Sequence, residues 1–272
     1  MISVLITAYN AAPFVGEAIN SILAQTADDL ECVVVDDGST DGTVRSVRAV
    51  EDPRVRLIEG GRLGRGRALN LALARSRGDL VAIQDADDLS HPRRLEIEKE
   101  ALARRPDLAG VGAGQMLTKS DRPPSWPAWE VGSSLFSMKD ITRKLVFLNP
   151  VSHTTLLLRR DALEAVRGYD ESRKSLYDWD ILIRLAVAGH RVGRLSVPLA
   201  AKRIHRGQFF EGGDQLGYMV DCLHLQRRAV RLLGRSPLLC AVFPLLFAYR
   251  MLPRRVRIGV RQAIVQVAGR AG

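Results

Sequence analysis

The run Gly78-Asp79-Leu80-Val81-Ala82-Ile83-Gln84-Asp85-Ala86-Asp87-Asp88 is an apolar strand that ends in three carboxylates. Acids packed so closely repel one another, so a fold tolerates them where a cation, an arginine or a polyhydroxyl ligand compensates. Asp85 and Asp87, two apart on an extended chain, face the same side. That arrangement lets one carboxylate hold hydroxyl groups and the other a divalent metal on phosphate oxygens. The plainer reading, an acidic turn before the helix that Pro92 opens, would suffice for an isolated Asp-x-Asp. Two further polar clusters make it insufficient here. Strand Ser3-Val4-Leu5-Ile6-Thr7 runs into Ala8-Tyr9-Asn10, and Glu31-Cys32-Val33-Val34-Val35-Asp36 runs into Asp37-Gly38-Ser39-Thr40-Asp41-Gly42. All three clusters sit at strand carboxyl ends, the edge at which open parallel α/β sheets bind ligands.

Working outward, strand-like runs at 3–7, 31–36, 54–58 and 80–84 alternate with helical segments at 13–25, 42–51 and 65–77. That alternation predicts βαβ units and a parallel sheet. Pro13 and Pro92 suit the first turns of helices, the second ending before Pro106. Residues 120–134 combine three prolines with Trp126 and Trp129 and lack periodicity, which predicts a long loop. Its tryptophans either offer a platform for a sugar ring or pin the loop to the body. Beyond it the spacing predicts a helix at 138–147, a strand at 154–159, helices at 161–167 and 178–189, and strands at 191–197 and 199–204.

The chain has 272 residues, enough for one α/β domain with an appendage. Three distant cysteines, Cys32, Cys222 and Cys240, with no Cys-x-x-Cys spacing, argue for a reducing compartment. Met1 leads straight into a strand, so no cleaved signal peptide and a cytosolic working surface are expected. The formal net charge is +10, and its location is informative. After Asp221 there are ten arginines and no acid, so the remaining 30 basic residues equal the 30 acids. A nucleic-acid enzyme would carry its positive charge around the catalytic groove, so nucleic acid is not an expected partner. The same tail holds the apolar stretch Ser236–Leu252, interrupted by Pro244, which is marginal for a bilayer core of about 30 Å. Flanked by arginine, it reads as an interfacial or re-entrant helix pair on anionic lipid; a hairpin packed on the catalytic domain or on a second subunit is the soluble alternative.

Thr7-Ala8-Tyr9-Asn10, Val35 to Gly42, Gly64 to Asn70, Asp85-Ala86-Asp87-Asp88, and Gly168-Tyr169-Asp170 leading to Asp178-Trp179-Asp180 occur in that order. Together they resemble the family 2 inverting glycosyltransferases of the glycosyltransferase-A fold, over residues 2 to about 206. The resemblance implies an α/β catalytic domain at 1–210, with a Rossmann-like nucleotide-binding half (1–118), an acceptor half (119–210) and a mixed sheet. A helical tail follows at 211–272. It implies that Thr7, Ala8 and Tyr9 line a uracil and ribose pocket and that Asp37 accepts from the base. Asp36 is expected to cap the following turn instead. Asp85 and Ala86 would meet the ribose or donor sugar. Asp87 would ligate Mg or Mn, with Asp88 and His205 as further ligands, since oxygen ligands and a diphosphate select hard cations. Arg65 or Arg67 would lie near the diphosphate or base, with Arg67 the expected donor contact.

Asp178 is the expected catalytic base, because inversion needs a carboxylate on the face opposite the leaving diphosphate. The family takes it from a Glu-Asp pair; here Tyr177 fills the first position, which leaves Asp180 as a competitor. The plainer role for Asp178 is helix capping. The activity implied is transfer of a hexosyl group from a UDP-sugar to a hydroxyl of a cell-envelope glycan or lipid-linked acceptor. The enzyme would sit peripherally on the inner face of the cell membrane through residues 222–272, and could form a homo-oligomer. Alternatives are a nucleotidyltransferase, which would carry a Gly-rich basic loop after the first strand, and an inactive nucleotide-sugar-binding assembly partner.

Overall fold

β1 (Ile2–Ala8), β2 (Leu30–Asp36), β3 (Val55–Glu59) and β4 (Leu80–Asp85) alternate with α1 (Val15–Leu23), α2 (Thr43–Arg48) and α3 (Arg65–Arg75). This is seen in the computed structural model, which describes residues 1–119, 124–127, 138–205, 215–241 and 243–244. The four strands are parallel, in the order β3-β2-β1-β4. All of β2 and all of β1 except Thr7 are buried, so their apolar runs do not alternate, as expected for strands covered on both faces. α1 buries Val15, Ala18, Ile19 and Ile22, one stripe at helical spacing, against the core.

The second half comprises β5 (Leu89–Ser90), α4 (Arg94–Arg104), β6 (Leu108–Lys119), β7 (Met138–Asp140), β8 (Leu157–Arg159), α5 (Arg160–Ala165), α6 (Tyr177–Val187) and β9 (Arg191–Ile204). Among the described residues nine strands form one mixed sheet in the order β3-β2-β1-β4-β8-β6-β9-β5, with β7 on β9. β8 runs antiparallel to both β4 and β6, while β6 and β9 are parallel.

Three sequence expectations are corrected. Residues 138–147 form the short strand β7 and a 3-10 turn, Thr142–Val146, not a helix. Asp140 Oδ1 accepts the Thr142 backbone N–H at 2.8 Å, an Asx contact that turns the chain where a helix would need that group in register. The strands expected at 191–197 and 199–204 are one strand, β9, whose pairing with β6 absorbs Pro198 at a register shift. Strand β6 was not expected, because its core half, Leu108 to Gly114, is rich in glycine and alanine and lacks a β-branched pattern. Crowding explains that composition. A side chain at Gly110 would lie 2.2 Å from Leu158, and one at Gly112 2.8 Å from Val151. Of the long loop only 124–127 are described, and there Trp126 packs edge-on against His91 with centroids 5.1 Å apart, which pins the loop to the body. Trp129 falls outside the described residues.

α4 fixes the acidic turn from behind. Arg94, fully buried, pairs with the equally buried Glu98 at 3.2 Å and donates to Gln84 Oε1 (3.2 Å), Ser90 Oγ (3.0 Å) and the Ile83 carbonyl (2.9 Å). Gln84 Nε2 in turn donates to the carbonyls of Asp85 (3.0 Å) and Asp88 (2.8 Å). A buried network satisfied in this way leaves the turn one backbone path.

The chain divides into two compact units, Met1–Gly213 and Asp214–Gly272. The second contains α7 (Gln215–Leu232), in which Cys222, Leu225, Ala229 and Val230 form a buried stripe while Leu216 is exposed. No helix among the described residues is long and apolar enough to cross a membrane. Most of the apolar stretch Ser236–Leu252 lies outside the described residues.

Candidate active site

Register brings the three strand ends into line. Thr7 stands beside Val35 on one side and Asp85 on the other, and Ala8 beside Asp36. At this edge a cavity of about 380 Å³ is lined by Thr7, Ala8, Tyr9, Asn10 and Ala11 from β1 and its exit, by Phe14, Asp37 and Arg65, and by Asp85, Ala86, Asp87 and His205. A larger cavity, about 560 Å³, opens at the opposite edge beside Met1, Asp79 and Arg160, remote from these motifs. Size alone does not locate chemistry; the convergence of acids and a cation does.

The rim is built by local backbone bonds. Asp36 Oδ2 accepts the N–H groups of Gly38 (3.2 Å) and Ser39 (3.1 Å) and so caps the turn. Gly38 has φ 77°, and a Cβ there would meet the Arg62 backbone at 3.0 Å, so this turn requires glycine. Asn10 takes a left-handed φ of 48° while its side chain accepts the Thr40 N–H at 2.9 Å, clamping the ends of β1 and β2 together. Asp37 Oδ1 accepts the N–H groups of Leu63 (2.7 Å) and Gly64 (2.8 Å), which ties the β2 turn to the start of α3. Tyr9 is 46% exposed, with the Arg62 guanidinium 3.6 Å over its ring. It is therefore a surface aromatic.

Deeper in, Arg65 pairs with Asp85 and donates to His153 Nδ1 at 3.1 Å; His153 Nε2 meets Tyr169 Oη at 3.0 Å. A guanidinium only donates, so Nδ1 accepts and the proton of a neutral imidazole resides on Nε2. Burial, with Arg65 beside it, pushes the His153 imidazole down to about 4, so it is uncharged at neutral pH. Burial works against the Asp85 carboxylate, yet the Arg65 guanidinium paired with it holds it below the usual range. Arg65 Nε is buried and has no hydrogen-bond partner among the described residues, an open donor beside the cavity that suits an anionic ligand.

Asp87 Oδ2 lies 3.0 Å from His205 Nε2, and the Phe14 ring backs that imidazole at 4.3 Å. Among the described residues no group of three His, Cys, Asp or Glu side chains is set to hold a metal. Two donors facing one cavity still fit Mg or Mn, which bind through one or two protein groups plus phosphate oxygens and water. Asp88 is not a cavity residue. It is 1% exposed, Oδ1 accepts the Arg203 N–H at 3.3 Å, and burial plus the charges of Asp85 and Asp87 raise its carboxyl well above the usual range. Arg67 also lies elsewhere, pairing at 3.4 Å with Glu171 on the exposed side of α3.

The two candidate bases have different surroundings. Asp178, in the first turn of α6, is half-buried; Oδ1 accepts the Trp179 N–H at 2.9 Å and Oδ2 accepts Asn149 Nδ2 at 2.7 Å. Its charge acts on Arg65, a lining residue, and on His153 and Tyr169. Leu176, just before α6, is held at φ 58°, a strained position that sets the entry of the helix. Asp180 is 1% exposed and pairs with Arg184 (2.7 Å) and Arg173 (3.5 Å), a structural anchorage. Asn149, His153 and Arg62 were not expected at the site, because nothing in their local spacing marks them.

A mixed sheet of this order, with a parallel half and acids at its carboxyl edge, belongs to the glycosyltransferase-A class of folds. The chain belongs to glycosyl transferase family 2, whose model matches residues 3–167. It is 30% identical over 197 residues to the putative glycosyltransferase EpsE of Bacillus subtilis, covering 70% of this chain and 68% of that one. It is 27% identical to the chondroitin synthase of Escherichia coli over 70% of this chain but only 27% of that much longer protein. Among solved structures, S. aureus TarS in complex with UDP-GlcNAc matches with a TM-score of 0.68 at 20% identity, covering 92% of this chain and 72% of that one. The mannosyltransferase PcManGT of Pyrobaculum calidifontis, in complex with GDP-Man and Mn2+, matches with a TM-score of 0.62 at 23% identity over 100% and 75%.

Proposed function

We propose that this glycosyltransferase transfers a hexosyl group, with inversion, from a UDP-sugar to a hydroxyl of a cell-envelope glycan or lipid-linked acceptor. What supports the reading is the strand-edge cavity lined by Asp85, Asp87, His205 and Arg65, together with Asp178, a half-buried carboxylate at the start of α6 whose charge reaches Arg65. Thr7, Ala8 and Tyr9 form the uracil and ribose wall. Asp37 keeps Oδ2 for the base, its Oδ1 being engaged by two backbone amides. Asp85 and Ala86 meet the ribose or sugar, and Arg65 offers donors to the diphosphate. Asp178 takes the proton of the acceptor hydroxyl as its oxygen bonds to the anomeric carbon, and the bond from that carbon to the diphosphate breaks on the opposite face. Asp87 and His205 would hold Mg or Mn, which when bound would supply positive charge for the departing diphosphate.

A screen of UDP-, GDP- and dTDP-sugars, read as metal-dependent nucleotide release and as thermal stabilisation, tests this reading. UDP-sugars are expected to lead both readouts. A preference for GDP-sugars, the class of ligand held in the Pyrobaculum calidifontis mannosyltransferase complex, would remove the UDP assignment. No response to any of them would favour the inactive assembly partner.

The tail is proposed to hold the enzyme on the inner face of the cell membrane. Ten arginines and no acid follow Asp221, each worth on the order of 1 kcal/mol near anionic lipid, beside a long apolar stretch. Flotation of the full chain with anionic vesicles at low salt is expected, with loss of binding in high salt. A chain that stays unbound would make this segment a subunit or packing surface instead.

A further inference from the structure

Asn149 sits in the connection between the two 3-10 turns, Thr142–Val146 and His153–Thr155, and precedes Pro150, which keeps its backbone out of the helical region. Its amide orientation is set on both sides. Oδ1 accepts the Val151 backbone N–H at 3.2 Å, which leaves Nδ2 to face Asp178 Oδ2 at 2.7 Å. Asp178 Oδ1 meanwhile accepts the Trp179 N–H. Each carboxylate oxygen therefore has one N–H donor and keeps further lone pairs for a hydroxyl proton.

We infer that Asn149 is a positioning residue for the glycosyl-transfer step, acting through Asp178 to hold its carboxylate in one rotamer. The inference rests on the reading of Asp178 as the base. Without Asn149, a side chain that is only half-buried could rotate about its Cα–Cβ bond and lose alignment with an acceptor hydroxyl. A hydrogen bond to a charged acceptor is among the stronger ones in proteins, and its contribution to turnover here is orientation, since the carboxylate loses charge as it takes up the proton. The charge of Asp178 in turn bears on Arg65 from α3, on His153 from its 3-10 turn, and on Tyr169. His153 is neutral, so Arg65 is the one full positive charge in that set and Asn149 the one neutral side-chain amide on the carboxylate.

Two near-isosteric variants separate positioning from bulk structure. Asn149→Leu removes the amide. Asn149→Asp keeps an acceptor for Val151 but sets a second carboxylate against Asp178. Both are assayed in the full chain by UDP release from an equimolar mixture of UDP-glucose, UDP-galactose, UDP-N-acetylglucosamine and UDP-glucuronate, with UDP affinity measured by calorimetry. Asn149→Leu is expected to lower kcat about tenfold and leave the UDP dissociation constant within about twofold. Asn149→Asp is expected to lose more at neutral pH and to move the acid limb of the kcat profile about one unit higher, by like-charge repulsion. Wild-type kcat and pH profile in both variants would overturn the inference, as would loss of UDP affinity in step with kcat. Either result leaves the base assignment standing. Full turnover in Asp178→Asn overturns both together.

Discussion

Asp178→Asn is expected to bind UDP as the parent does and to lower sugar transfer by about a hundredfold or more, the size of a general-base contribution. The substitution keeps the volume of the side chain and an oxygen for Asn149 or for the Trp179 N–H, so folding should be preserved. What it removes is a site for the acceptor proton. Asp180→Asn should behave differently, because Asp180 is buried between Arg184 and Arg173. Neutralising it leaves those guanidinium groups short of a counter-charge, and the loss should appear as lower resistance to urea before it appears in transfer. Rates on matched, folded proteins, with unfolding curves beside them, decide between the two. If Asp180→Asn loses transfer at unchanged stability while Asp178→Asn stays active, the base is Asp180.

The part of the site that was legible in the sequence is the part carried by strands. An apolar run ending in acids reads as a strand meeting solvent at its carboxyl end, and three such runs in parallel bring their ends together whatever their separation in sequence. Asp36 was legible as a turn cap for the same reason: its partners, Gly38 and Ser39, are two and three residues away. Arg65 and Arg67 show where such reading stops. Two residues apart on a helix, they fall on nearly opposite faces, and the face turned to the ligand depends on how α3 packs on the sheet. Arg65 meets the cavity, and Arg67 pairs with Glu171. Asn149 and His153 are harder still. Each acts through a partner 29 and 88 residues distant, so no local pattern could mark them. β6 escaped because its glycines answer to Leu158 and Val151 across the sheet, a crowding that composition alone does not reveal.

Asp87→Ala should abolish metal-dependent turnover without costing stability, and the pairing of those two outcomes is what makes it diagnostic. Asp85, Asp87 and Asp88 crowd one turn, and the charges of the first two help to raise the Asp88 carboxyl. Removing Asp87 relieves part of that repulsion, so the melting temperature should hold or rise. Turnover should fall because a diphosphate leaving with its full charge needs compensation, and Arg65, whose charge Asp85 offsets in part, supplies only a share of it. Loss of such electrostatic support in a confined site raises a barrier by about 3–4 kcal/mol, a factor of several hundred. His205→Ala should have a smaller effect, since Asp87 remains as the charged donor. Measurements of nucleotide release across a manganese titration, with and without excess chelator, separate the possibilities. A parent enzyme that keeps its rate in chelator, or an Asp87→Ala variant that keeps it in metal, would assign the counter-charge to Arg65 and leave the Asp87–His205 contact a structural hydrogen bond.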